Sequence, residues 1–313
     1  MGVLVNGRWE TDDSLVLRDD RFVRSDSTFR ARVGADARFP VQADRYHLFV
    51  SVSCPWAHRT LIFRTLKGLE KVIGLTWLEP ANTPLGWRFN PAPDPLTGAT
   101  HLYELYQRAD PAYTGRVTVP VLWDTHTGTI VNNESSEIVR MFNGDLDAIA
   151  GHPERDYYPA PLRGQIDVVN ARVFSDLNAG VYRAGFATTQ AAYAAAARAV
   201  FETLDWMQER LATSRYLCGD VLTEADWRAF PTLVRFDAVY HHLFKCNWRR
   251  LADYAGLRAY TRELYQHPGI AATLDVRAIQ AGYYGGMRHL NANGIVPIGP
   301  EDAVLDFSLP HGR

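Results

Sequence analysis

The stretch YHLFVSVSCPWAHRTLIFRTLKGLE, Tyr46–Glu70, decides the fold. Its first part, Tyr46–Ser53, is rich in β-branched and aromatic residues, the composition of a buried strand. Beyond Pro55, apolar Trp56, Leu61, Ile62 and Leu66 recur near helical spacing. Proline suits the first helical turn, where its missing N–H removes no hydrogen bond. Cys54 therefore falls where a strand stops and a helix starts. Val72–Leu78 (VIGLTWL) reads as a second strand, which gives a β-α-β unit.

That position matters for the sulfur. A thiol is a weak nucleophile until it ionises. A helix N-terminus supplies unpaired N–H groups and about half a positive charge, so Cys54 is placed for a lowered pKa. The run is Cys54-Pro55-Trp56-Ala57, without a second cysteine to resolve a disulfide internally. A mixed disulfide at Cys54 then needs an external thiol, which points to glutathione. The competing view is that Cys54 is a small buried hydrophobe, the usual fate of a free cysteine. Cys218, just before a Gly-Asp turn, and Cys246, after a run of aromatics, lack the strand-to-helix setting and read as structural.

Downstream, Glu79–Gly98 is a long Pro/Gly/Asn-rich stretch. Loops of that length are functional or disordered, and Trp87 and Phe89 argue for order. His101–Arg108 is a candidate helix. Thr118–Asp124 and Thr129–Asn132 read as strands joined by a tight turn. Pro120 is unusual inside a strand. A cis peptide at Val119-Pro120 would free neighbouring backbone groups to pair with an extended peptide. At Glu134-Ser135-Ser136 a helix opens, with Ser135 or Ser136 as its cap. Amides there, with Ser135, suit a carboxylate, and Glu134 suits an ammonium. The γ-glutamyl end of glutathione offers both groups. In isolation the dipeptide is an ordinary helix start.

Past Pro159 long periodic helical stretches take over: Arg163–Asn178, Thr188–Thr213, Thr223–Tyr240, Arg249–Gln266 and His267–Val276. Thr223 and Asp226 have capping-box spacing. The tail from Tyr283 is Gly/Pro/Asn-rich and reads as irregular. The expected organisation is an arm over 1–44, an α/β domain over 45–150 and a helical domain over 151–313. The arm, with apolar Val3–Val5 and Leu15–Leu17, reads as an ordered hairpin or a packed tail. The 313 residues, 47% hydrophobic and 22% charged, suffice for two cores. A net charge of −2 gives no sign of nucleic acid or an anionic membrane as partner. Three cysteines, a polar start and no long apolar run read as a cytoplasmic protein.

The chain resembles a glutathione transferase, and more closely the glutathionyl-hydroquinone reductases of the Xi class. The matching stretches are SCPWAHR at Ser53–Arg59, GWRF at Gly86–Phe89, ADPAYTGRVTVPVLWD at Ala109–Asp124 and NNESSEI at Asn132–Ile138. GVYRAGFA at Gly180–Ala187, FKCN at Phe244–Asn247 and GIVPIGP at Gly294–Pro300 complete them. The resemblance implies a thioredoxin-like N-terminal domain followed by an all-α C-terminal domain. It also implies an activity, the reductive removal of glutathione from glutathionyl-hydroquinones with Cys54 as nucleophile. By the same resemblance Tyr182 is the proton donor, and Tyr240 and Tyr283 favour the thiolate. Tyr284, next to Tyr283, is an alternative for that place. Glutathione would be held by Trp87, by Arg116, Val117, Thr118 and Val119, and by Glu134 and Ser135. Glutathione is a co-substrate, with an aromatic quinol conjugate as the second substrate, no metal, and a homodimer as the assembly.

Most of the 15 tyrosines must be packing residues, and composition alone singles out none of these three. The family's usual His-Tyr-Tyr is here Gly282-Tyr283-Tyr284, with His289 later, and Asn178-Ala179-Gly180 stands for a more usual Asn-Asn-Gly. Two rival functions remain. One is an omega-like glutathione thioltransferase or dehydroascorbate reductase on the same scaffold. The other is a non-enzymatic binding module, since fold does not fix function.

Overall fold

The computed structural model describes residues 2–11, 17–18, 21–22 and 26–313. The chain divides into two compact units. The first gathers the described residues up to 11, then 26–155 and 281–287. The second holds 156–280 and 288–313, with 17–18 and 21–22.

In the first unit a hairpin of β1 (Val3–Val5) and β2 (Arg8–Glu10) opens the chain. A short antiparallel pair that belongs to the second unit, β3 (Leu17–Arg18) and β4 (Arg21–Phe22), follows in the chain. Leu15 and Val16, part of the apolar stretch Leu15–Leu17 noted in the sequence, lie outside the described residues. Then come β5 (Tyr46–Ser51), α1 (Pro55–Leu66), β6 (Ile73–Leu78) and α2 (Tyr103–Ala109). They are followed by β7 (Gly115–Arg116), β8 (Val121–Asp124), β9 (Thr129–Asn132) and α3 (Ser135–Arg140).

Four strands make the central sheet in the order β6-β5-β8-β9. β5 and β6 run parallel, joined through α1, and β8 and β9 are antiparallel. The apolar run at Leu48, Phe49 and Val50 is fully buried, as a strand covered on both faces must be. His47 pairs with Gly74 across β5 and β6. A Cβ at 74 would meet His47 Nδ1 at 2.2 Å, so glycine leaves room for the imidazole. That ring bonds Thr76 Oγ1 at 2.8 Å, and Thr76 donates to Asp94 at 3.3 Å. Burial pulls the His47 imidazole down to about 4, so the ring is neutral.

The helical unit is built from α4 (Arg163–Arg172), α5 (Gly180–Gly185), α6 (Gln190–Leu211), α7 (Glu224–Arg235) and α8 (Ala255–Gln266). Wide π turns continue α4 through Val173–Asn178 and α7 through Phe236–Tyr240. The capping box at α7 is present. The buried Asp226 carboxylate accepts from Thr223 N–H at 2.8 Å and Thr223 Oγ1 at 3.0 Å. Its other oxygen accepts from Leu217 N–H at 2.9 Å and the Tyr260 hydroxyl at 2.6 Å.

Two expectations fail here. His267–Val276 is not a helix beyond a short 3-10 turn at Ala271–Thr273, because Pro268-Gly269 interrupts it. The tail is not irregular from Tyr283, because α9 (Val276–Gly286) carries through both tyrosines. A last short helix, α10, spans Asp302–Leu305. Among the described residues no helix is long and apolar enough to cross a membrane.

Candidate active site

Cys54 is the N-cap of α1, with extended backbone, and Pro55 begins the helix. Ala57 N–H donates to its sulfur at 3.4 Å. The thiol in turn donates to Val119 O, also at 3.4 Å. The two contacts oppose each other. An N–H donor favours the thiolate, and a carbonyl acceptor favours the neutral thiol. Cys54 is half-buried, whereas Cys218 and Cys246 are buried. Burial pushes the Cys218 thiol up to about 11 and the Cys246 thiol up to about 12, which leaves both inert near neutrality.

The Val119-Pro120 peptide, next to this carbonyl, is cis. The strand expected from Thr118 starts only at Val121. Among the described residues the Val119 N–H has no hydrogen-bond partner. Arg116 lies on β7, which pairs with β1 through Val3 and Arg116. Val117 and Val119 are buried, and Thr118 is half-buried between them.

Glu134, not Ser135 or Ser136, caps α3. Its carboxylate accepts from Ser136 N–H at 3.0 Å and Ser136 Oγ at 2.9 Å. The longer acid reaches back over the first turn in the way a Ser or Asp does from the cap. Its second oxygen accepts from Ser27 Oγ at 3.2 Å. Ser135 is fully buried, and its Oγ has no partner among the described residues.

Trp87 sits half-buried in the stretch between β6 and α2. This stretch is ordered. Glu79 N–H donates to Arg88 O at 2.9 Å, Leu102 N–H to Trp87 O at 2.9 Å, and Asn90 N–H to Trp77 O at 3.2 Å. Asp94 Oδ2 accepts from Thr97 N–H at 2.8 Å and Thr97 Oγ1 at 2.6 Å. Trp9 of β2 stacks on Tyr103 at 5.1 Å and lies over Gly86, where a Cβ would be 2.7 Å from its ring.

The three tyrosines divide between the units. Tyr283 belongs to the stretch of α9 grouped with Cys54, and both Tyr283 and Tyr284 are buried. The preceding Gly282 brings α9 into contact with the segment before the cysteine. A Cβ there would lie 2.5 Å from Pro80 O and 2.9 Å from Ser53 Cβ. Tyr182 on α5 and Tyr240 at the end of the second π turn meet in the helical unit, ring centroids 5.9 Å apart. Phe186 and Phe244 complete that cluster, with Tyr240 stacked on Phe244 at 5.3 Å.

Two polar residues that sequence reasoning passed over tie the first unit together. The buried Tyr106 hydroxyl donates to Thr118 O at 2.8 Å and accepts from Thr118 N–H at 3.2 Å and Asn133 Nδ2 at 3.0 Å. Burial pushes its phenol up to about 12. Asn133 also accepts from Phe29 N–H at 3.3 Å. Neither carries a local signal; only NNESSEI, read as one unit, hints at Asn133.

A half-buried cysteine on a helix N-terminus, beside a cis-proline that immediately precedes β8 of a four-stranded mixed sheet and followed by a helical unit, defines a glutathione transferase. The glutathione S-transferase N-terminal domain pattern matches residues 53–144, and the C-terminal domain pattern matches 190–263. The glutathionyl-hydroquinone reductase PcpF of Sphingobium chlorophenolicum is 49% identical over 99% of both chains. The glutathionyl-hydroquinone reductase YqjG of Escherichia coli is 46% identical over 100% of this chain and 98% of its own. Its glutathione-bound structure superposes with a TM-score of 0.89, covering 99% of this chain and 98% of that one at 43% identity. The glutathione transferase Xi of Phanerochaete chrysosporium has a TM-score of 0.88 and 46% identity, over 92% of this chain and 99% of that one. The chain belongs to the Xi-class glutathione transferases, the family of the glutathionyl-hydroquinone reductases.

Proposed function

We propose that this protein uses glutathione to reduce glutathionyl-hydroquinones, with Cys54 as nucleophile. The observation that carries the reading is the sulfur at the N-terminus of α1, with Ala57 N–H directed at it and alanine where a resolving cysteine would stand. Deprotonation breaks the Cys54–Val119 contact and leaves the Ala57 donor to stabilise the thiolate. The thiolate attacks the sulfur of the conjugate, and the bond from that sulfur to the ring carbon breaks. The carbon takes a proton from Tyr182, and hydroquinone leaves. The Cys54–glutathione disulfide is then attacked by a second glutathione thiolate, which regenerates Cys54 and releases oxidised glutathione.

Glutathione fits the residues present. The unpartnered Val119 N–H suits an extended peptide, and the orphaned, buried Ser135 hydroxyl suits a carboxylate. In this proposal Trp87, Arg116, Val117, Thr118 and Glu134 supply further contacts, and Tyr240 and Tyr283 donate to the thiolate. The protein works as a cytoplasmic homodimer, a reading that rests on family membership for the assembly and is checked by light scattering.

The test is turnover of glutathionyl-menadiol against a small glutathione mixed disulfide. A hydroquinone reductase turns over the first efficiently and loses it in Cys54→Ser. Preference for the mixed disulfide would favour the omega-like thioltransferase reading. Absence of any glutathione adduct at Cys54 after exposure to oxidised glutathione would leave only a binding module.

A further inference from the structure

The glutathione contacts proposed above come from two separate places in the chain, the segment at Val119 and the start of α3 at Glu134-Ser135. One side chain joins them. Tyr106, buried on α2, grips both backbone groups of Thr118 through its hydroxyl, and takes a third hydrogen bond from Asn133. Thr118 adjoins Val119, whose carbonyl accepts from Cys54. Asn133 adjoins Glu134, the cap of α3.

The hydroxyl is a node that donates one bond and accepts two, and Thr118 Oγ1 also lies 3.4 Å from its oxygen. No backbone strand pairing joins these two positions. β8 and β9 pair only from Leu122 and Asn132 onward, away from the cis-proline. The arm fixes the node from behind. Phe29 packs on Tyr106 and Tyr113, with ring centroids 5.6 Å away in both cases. Phe29 N–H donates to Asn133 Oδ1, and Ser27 Oγ reaches both Asn133 O and Glu134.

We propose that Tyr106 is a positioning residue that sets the spacing between the peptide-binding backbone at Val119 and the γ-glutamyl site at Glu134-Ser135, and so tunes affinity for glutathione without touching it. The inference rests on the glutathione site proposed above. A tripeptide held at both ends requires a fixed span, and misplacing either end weakens binding steeply. Tyr106→Phe keeps the ring and its packing but removes every hydrogen bond of the hydroxyl to Thr118 and Asn133.

The experiment measures three quantities on the full chain: the dissociation constant for S-methylglutathione, the KM for glutathione with kcat, and the rate of Cys54 alkylation by iodoacetamide. The wild type must bind S-methylglutathione; if it does not, the underlying site reading fails first and this inference with it. Given wild-type binding, Tyr106→Phe should raise the dissociation constant and KM about fivefold or more, while kcat and alkylation stay within about twofold. A dissociation constant unchanged in folded Tyr106→Phe would overturn the proposal. So would a change in alkylation as large as the change in affinity, because the hydroxyl would then be acting on the sulfur. If Tyr106→Phe does not fold, Asn133→Ala, which breaks one arm of the node, decides by the same criteria.

Discussion

Asp226 offers a sharp test of what holds the helical unit together. Asp226→Ala removes an acceptor that serves Thr223 N–H, Thr223 Oγ1, Leu217 N–H and the Tyr260 hydroxyl in a site sealed from solvent. Each buried donor left without a partner costs about 1–3 kcal/mol. Four such donors sum to roughly 4–12 kcal/mol, and water entering the vacated space and rotation of the two hydroxyls satisfy much of that, so about 4 kcal/mol is expected. That is nearly a thousandfold in the folding equilibrium. Urea unfolding followed by far-UV circular dichroism reads the loss. Amide exchange at Leu217 and Thr223 reads whether it is local. Tyr260→Phe alone should cost about 1 kcal/mol, and the double variant less than the sum, because deleting the hydroxyl removes one orphan. A loss under about 1 kcal/mol in Asp226→Ala, with exchange protection retained, would refute the assignment of this carboxylate as the anchor of α7.

Three further outcomes are expected. His47 has a folded value near 4 against an ordinary 6.5, so the unfolded chain binds its proton first as pH falls. Its contribution is complete above about pH 6.5 and is lost toward pH 4, on the order of 2 kcal/mol after allowing for solvent screening; denaturant melts of wild type and His47→Gln should converge or cross over that window. At pH 8 iodoacetamide should label Cys54 in the native protein, while Cys218 and Cys246 react only in denaturant; for Cys218 the thiolate fraction there is roughly 10⁻³. Gly282→Ala should lower stability by about 1–3 kcal/mol and change the rate of Cys54 labelling, since the new methyl meets Pro80 O and Ser53. Gly285→Ala, with only Ala81 Cβ at 3.9 Å, should be neutral or stabilising, and equal melting curves for the two variants would contradict this packing.

The strand-cysteine-helix unit was legible because three local signals agree: β-branched composition before Cys54, proline after it, and helical spacing beyond. Pro120 was legible for the opposite reason, as a residue out of place in a strand. The cap of α3 was misplaced because propensity favours serine, while a glutamate that can fold back over Ser136 does the same work. α9 was invisible because Gly282, Gly285 and Gly286 are poor helix formers. It forms because those glycines admit close contact with Pro80, Ser53 and Asn82, a tertiary gain that no local pattern encodes. Of the candidate site, Cys54 and Pro120 could be read from the chain itself. Tyr182, Tyr240 and Tyr283 came through resemblance alone. Tyr106 and Asn133 escaped because a hydrogen bond across 27 positions leaves no trace in either neighbourhood.

The outer strands of the central sheet are not left open. Ala31 N–H bonds Val131 O at 3.1 Å and Asn133 N–H bonds Phe29 O at 3.1 Å along β9, and Phe89 bridges to Leu78 along β6. Proteolytic nicking between residues 26 and 33 would strip that cover from β9 and bare the Val131 carbonyl and the Asn133 amide. Such a clipped species is a template for intermolecular β-addition, so preparations carrying it should turn turbid on storage while the intact protein stays clear.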